Sequence, residues 1–144
     1  MLAYFILTFL LLAGPVAPVE EAVRKNPESL EGTWAITSAI HDGRKSAPEK
    51  IKSVRLTFAG DKLTVHGDKG MESVFKLDAA KKPCQIDVTP GDGPDKGTVL
   101  KGIYELKGDE LRICIGKSGK DRPTEFASKE KSGIILIELK REKQ

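Results

Sequence analysis

The chain has little of what most enzyme chemistry uses. Among 144 residues there are two cysteines, two histidines, two methionines and one tryptophan. His41 sits beside the Asp42-Gly43 turn signal and His66 on the polar side of its segment. Two separate histidines do not supply the convergent ligands that a metal site requires, so no metal site is expected. Neither stands near Cys84 or Cys114 in sequence, which leaves no partner to generate a thiolate nucleophile. The spacing G-x-S-x-G of a nucleophile elbow is absent, as are both glycine-rich phosphate-loop patterns. No catalytic residue and no cofactor are expected, and Glu105, Asp109 and Glu125 are acids without a spacing that recommends them.

Charge of one sign is not in excess either. Lysine and arginine number 24, aspartate and glutamate 21, for a net charge of +3. The two signs are interspersed, whereas nucleic-acid binders gather basic charge on one face. The densest basic stretch, Lys140-Arg141-Glu142-Lys143, reads as a solvated tail. One Trp, two Tyr and five Phe give few stacking platforms, and Tyr4, Phe5 and Phe9 fall in the first seventeen residues. A nucleic-acid partner is not expected.

Long apolar runs are confined to the amino terminus. MLAYFILTFLLLA, residues 1–13, carries no charge and is followed by Gly14-Pro15, small residues and Glu20-Glu21. A membrane-spanning helix needs about 20 residues, so this length and layout point to an export signal over residues 1–17. The protein is expected in the periplasm or outside the cell, with retention by an uncleaved amino-terminal segment as the competing outcome. Once the signal is removed no membrane span remains. Residues 18–29 read as a linker or short helix, with Val19 to Lys25 halted at Asn26-Pro27.

What the remaining chain has is alternation. Turn signals recur at Asp42-Gly43, Gly60-Asp61, Gly67 to Gly70, Gly91 to Gly97, Gly108-Asp109, Gly116 to Gly119 and Ser132-Gly133. Between them apolar residues take every second place: Trp34, Ile36 and Ile40; Val54, Leu56 and Phe58; Leu63 and Val65; Met71, Phe75 and Leu77; Ile86 and Val88; Leu100, Tyr104 and Leu106; Leu111, Ile113 and Ile115. Each such strand has one wet face. Ile134 to Ile137 is apolar on both faces and needs a cover, most simply the amino-terminal segment. Ser46-Ala47-Pro48-Glu49 has capping-box spacing, which predicts a helix over residues 48–52. Cys84 shares a face with Ile86 and Val88, while Cys114 falls on the other parity from Ile113 and Ile115, so a disulfide is not expected.

Eight or nine strands in a meander close most economically into an antiparallel up-and-down β-barrel, which removes exposed edges; a two-sheet sandwich is the alternative. Residues 30–144 are read as this single, monomeric domain. The acidic, glycine-rich stretch from Asp87 to Gly97 lacks the closing bidentate carboxylate of a calcium loop and reads as a rigid hairpin connection.

Four ordered segments carry a resemblance. Leu30-Glu31-Gly32-Thr33-Trp34, Ile86-Asp87-Val88-Thr89-Pro90 with Asp92 to Gly97, Gly102-Ile103-Tyr104-Glu105-Leu106, and Arg122-Pro123-Thr124-Glu125-Phe126 resemble a planctomycete-rich bacterial family of uncharacterised lipocalin-like domain proteins. The Gly-x-Trp opening is also similar to that of true lipocalins. That resemblance implies that Gly32 and Trp34 close one end of the barrel, with Arg141 as the basic residue packed on the ring. This chain is shorter than true lipocalins and lacks their second and third motifs. A barrel of eight strands either fills itself or holds one small ligand. Phe58, Met71, Phe75 and Tyr104 are the large inward candidates for a pocket. The expected partner is a small apolar or amphipathic molecule or a cell-envelope component, and the alternative is a packed structural or protein-interaction module.

Overall fold

The structure, a computed structural model, describes residues 30–67 and 69–142. The segments read as export signal (1–17) and as linker or short helix (18–29) lie outside the described residues. From Glu31 onward the chain forms one compact unit. Its elements are β1 (Gly32–His41), β2 (Arg44–Lys45), helix α1 (Pro48–Ile51), β3 (Arg55–Ala59), β4 (Lys62–His66), β5 (Met71–Asp78), β6 (Cys84–Pro90), β7 (Leu100–Lys107), β8 (Glu110–Gly116) and β9 (Ile134–Arg141). Every pairing is antiparallel, and sequential strands are neighbours from β3 to β9. β1 pairs with β3 on one side and β9 on the other, so eight strands close into an up-and-down barrel. β2 is an added two-residue strand on the end of β1.

Closure answers the edge problem that a meander of short, half-apolar strands would otherwise have. The inner face follows from register. Trp34 stands opposite Leu56, which stands opposite Val65; Phe75 opposes Val88; Ile86 opposes Gly102; Tyr104 opposes Ile113, which opposes Ile137. The alternation read from the sequence holds for these strands.

Two local expectations are corrected. Ile40 does not share a face with Trp34 and Ile36. A bulge between Ile36 and Ser38 sets two steps of β1 against one of β9, which flips the parity: Ala39 turns inward opposite Ile137, and Ile40 turns outward opposite Leu136. The capping box does not form, because Ala47 occupies the N-cap with no side-chain hydrogen bond and Pro48 begins α1. Pro48 supplies a preset backbone angle where no amide hydrogen is needed, which suffices for one turn.

Among the described residues the outer apolar residues of β9 are covered by the β8–β9 connection, residues 117–133; the amino-terminal segment, the expected cover, lies outside them. Ile103, Cys114 and Leu136 form a small buried cluster on the outer wall, and Phe126 from the connection packs on it with Ile40 and Ile134. The Arg112 guanidinium lies 4.4 Å over the Phe126 ring. Arg122 holds the connection from its other side: its Nη1 donates to the carbonyls of Gly102 at 2.8 Å and Ile86 at 3.3 Å, and its Nη2 pairs with Asp87 at 2.8 Å. At the tip of β1, Asp42 accepts from the Gly133 amide at 2.6 Å and from Lys117 Nζ at 3.1 Å. The Lys117 hydrogen bond, with that of Gly133, holds the Asp42 carboxyl below its usual range.

The strap brings three of the segments named above to one place. Ile86-Asp87, Gly102-Ile103 and Arg122 through Phe126, far apart in sequence, meet on one patch of outer wall. Gly102, whose Cα faces inward between Ile86 and Ile115, has no room for a side chain: a Cβ would stand 2.8 Å from the Cys114 carbonyl oxygen and 3.1 Å from Ile115 Cβ. Cys114 points outward into the strap cluster and Cys84 points inward beside Tyr104; both thiols are free. Burial pushes the Cys114 thiol up, and it donates to the Ala127 carbonyl at 3.5 Å.

Candidate functional site

The barrel has two unlike ends. One carries Gly32, the β3–β4, β5–β6 and β7–β8 turns, and Arg141. There Trp34 is 0% exposed, with the Arg141 guanidinium carbon 4.3 Å over its ring. Arg141 Nη1 donates to the Glu31 carbonyl at 2.6 Å, and Nε faces Asp109 at 3.4 Å. Gly32 has φ of +118°, a backbone angle that disfavours any side chain, and a Cβ there would sit 3.6 Å from Arg141 Nη1. The stretch read as a solvated tail is in part the end of β9: Arg141 caps Trp34, and Glu142 pairs with Arg55.

Packing continues inward from this end. Phe58 (1% exposed) meets Phe75 edge to face at 5.1 Å between centroids, an arrangement that the ring quadrupoles favour. Tyr104 is buried beside Cys84, and desolvation, with the Cys84 thiol next to it, pushes the phenol up to about 12. Phe58, Phe75 and Tyr104 therefore form the floor.

The opposite end carries the β1–β3, β4–β5, β6–β7 and β8–β9 connections, and its inward-facing residues are different. Ala39, Val65, Met71, Leu100, Ile115 and Ile135 face inward by register yet are only half-buried. Ile36 and Ile137, deeper on adjacent strands, are half-buried too. The barrel is thus plugged at Trp34, and toward α1 and the long connections it leaves a ring of partly accessible apolar side chains, the cup, although Leu77 and Leu106 near the Trp34 end are half-buried as well. Of the four large residues singled out from sequence, Met71 stands in this open ring and the other three below it. Among the described residues Arg141, at the closed end, is the charged side chain that the register turns inward, and His41 stands at the rim.

Sequence reasoning passed over one inward polar residue. Ser73 faces inward between Met71 and Phe75, opposite Leu63 and Pro90, and is 5% exposed. Its small polar side chain breaks the apolar alternation of β5, which was the available signal.

Elsewhere the wall is self-satisfied. A recess of about 360 Å³ on the outer face of β7–β9 is lined by Glu105, Lys107, Arg112 and Glu138, with Arg112 and Glu105 paired at 2.8 Å. A second, of about 370 Å³, lies within the strap, and a third, of about 210 Å³, beside the exposed Val74 and Val99. Glu105, Asp109 and Glu125 do not converge; each faces its own cation, Arg112, Arg141 and Lys129. His66 Nε2 lies 3.1 Å from the Thr57 hydroxyl on an exposed face. The 91–97 connection is tied by its own backbone, Gly97 N to Pro90 O at 3.0 Å, with Asp92 Oδ1 accepting from the Gly93 amide.

Among the described residues no group of three or more His, Cys, Asp or Glu is placed to hold a metal ion, and no helix is long and apolar enough to cross a membrane. Comparison with protein-family models, with curated proteins and with solved structures returns no match.

Proposed function

We propose that the protein is an exported, non-enzymatic, lipocalin-like barrel that takes up a small apolar or amphipathic molecule through the end opposite Trp34. The observation that carries this reading is the ring of half-buried aliphatic side chains that faces inward at the end opposite Trp34. Apolar surface left accessible inside a barrel is recovered by burying a ligand against it, at about 25 cal/mol per Å². An amphipathic ligand fits because the inner wall is apolar while the connections around the mouth are lysine-rich, with Arg44, Lys45, Lys50 and Lys52 on one and Lys117, Lys120, Lys129 and Lys131 on another. The resemblance in the four segments and the apolar amino terminus support the family and the export.

The test is titration of the protein with 1-anilinonaphthalene-8-sulfonate and with short alkyl alcohols, on wild type and on Met71→Asp and Leu100→Asp. Saturable binding at one site, lost in both variants while the far-ultraviolet circular dichroism is kept, is the expected result. No binding in wild type would instead favour a filled barrel acting through its surface, and pull-down from an envelope fraction would then be the next measurement.

A further inference from the structure

We infer that one sector of the rim opposite Trp34 is a docking surface for an anionic phospholipid bilayer, on which the barrel stands with its mouth toward the lipid. The β1–β3 connection, residues 42–54, and the β8–β9 connection, residues 117–133, are neighbours because β1 pairs with both β3 and β9. They touch: the Gly43 amide donates to Ser128 Oγ at 3.1 Å, and a Cβ on Gly43 would stand 2.8 Å from the Glu130 nitrogen. Together they carry nine lysines and arginines against five aspartates and glutamates, whereas the other two connections of that end, 67–70 and 91–99, carry two against three. Asp42 and Glu125 are taken up by Lys117 and Lys129. Among the described residues Arg44, Lys45, Lys50, Lys52, Lys120 and Lys131 are exposed and make no ion pair, against the remaining acids Glu49, Asp121 and Glu130. The surplus of positive charge at the mouth therefore lies on one side of it.

The placement of these cations selects the partner. Charges spread along a side wall meet a flat surface a few at a time, whereas charges on one end of a cylinder meet it together. The outer walls do not compete, since their charges are matched on the protein itself, Arg112 with Glu105 and Arg122 with Asp87, both at 2.8 Å. A leaflet with anionic headgroups is a plane of negative charge, and each lysine or arginine held close to it gains about fivefold in partition. Salt screens that gain. At the same end Met71, Leu100, Ile115 and Ile135 are half-buried, so the docked barrel turns apolar surface as well as charge toward the lipid. A soluble polyanion matches the charge and leaves the apolar ring unused.

The test is co-sedimentation of the full chain with vesicles of phosphatidylcholine alone and of an equimolar mixture of phosphatidylcholine and phosphatidylglycerol. An apolar amino terminus that enters lipid does so in both, so the ratio of the two partition constants reports the rim. That ratio should be at least about tenfold at ~0.05 M salt and fall toward one at ~0.5 M. Lys50→Gln, Lys52→Gln and Lys131→Gln together should lower it by about tenfold or more. Lys62→Gln, Lys81→Gln and Lys82→Gln, the same loss of charge on exposed residues of the Trp34 end, should lower it less than about threefold. Far-ultraviolet circular dichroism checks that both variants keep the barrel. If both vesicle types sediment the protein alike, or if the two triple variants weaken binding equally, the docking surface falls. Retention on heparin without a preference for anionic vesicles would make the partner a soluble polyanion and overturn it too. None of these outcomes bears on the cup, which the dye and alcohol titration tests separately.

Discussion

Replacing Arg141 tests how the barrel is closed. The guanidinium covers a Trp34 ring that has no exposed surface, from 4.3 Å, and its Nη1 satisfies the Glu31 carbonyl at 2.6 Å. A partly desolvated cation over an indole contributes about 1 kcal/mol, and a charged donor on a carbonyl about 1.5–3 kcal/mol. The Asp109 pair adds at most ~0.5 kcal/mol, because that carboxylate is 60% exposed. These contributions share one side chain and overlap, so Arg141→Ala should cost about 2–3 kcal/mol. With a urea slope of roughly 1.3 kcal/mol per M for a domain this small, the unfolding midpoint should fall by about 2 M. Trp34 is the sole tryptophan, so its fluorescence reports the site directly, and far-ultraviolet circular dichroism reports the barrel. Arg141→Lys keeps the charge and loses the planar fork, so it should recover less than half of the loss. A double-mutant cycle with Trp34→Phe should give a coupling of about 1 kcal/mol. A midpoint for Arg141→Ala within ~0.3 M of wild type would refute the clamp.

Two further perturbations address the strap and the floor. Phe126→Ala removes the half-buried ring that covers the outer cluster and should cost about 2 kcal/mol, below the range for a fully buried Phe; in a Cys84→Ser background it should also speed reaction of the buried Cys114 with a disulfide reagent at least tenfold, and an unchanged labelling rate would mean that Phe126 is not the cover. Tyr104 titrates near 12 in the folded protein against an ordinary 10.0; between these values the folded state holds a proton that the unfolded state has released, so stability should fall with rising pH by up to about 1.4 kcal/mol per unit. Urea midpoints at pH 9 and pH 11 check the sign, and a Tyr104→Phe variant should flatten the slope.

The sequence alone determined the class of fold and most of its inner face. Alternation has a period of two in any strand, whatever its neighbours, so Trp34, Phe58, Phe75, Ile86, Tyr104 and Ile113 could be turned inward before any pairing was known. The near-even charges and the scarcity of His, Cys and aromatics are likewise properties of the chain itself. What the pairing of distant segments decided is different in kind. Ile40 reversed its face because a bulge exists only where β1 meets β9, about a hundred residues away. The cover on Ile134 and Leu136 came from Phe126 because the strap folds back over strands that lie on both sides of it in sequence. Arg122 found its carbonyls on β6 and β7, and Arg141 its carbonyl 110 residues earlier, because only a closed barrel brings those atoms within hydrogen-bond range. The division between floor and cup belongs to the same class. Met71 and Phe75 share one parity, yet Met71, the first residue of β5, stands at the mouth and Phe75 packs on Phe58, and which turns gather at one end is decided only when the barrel closes.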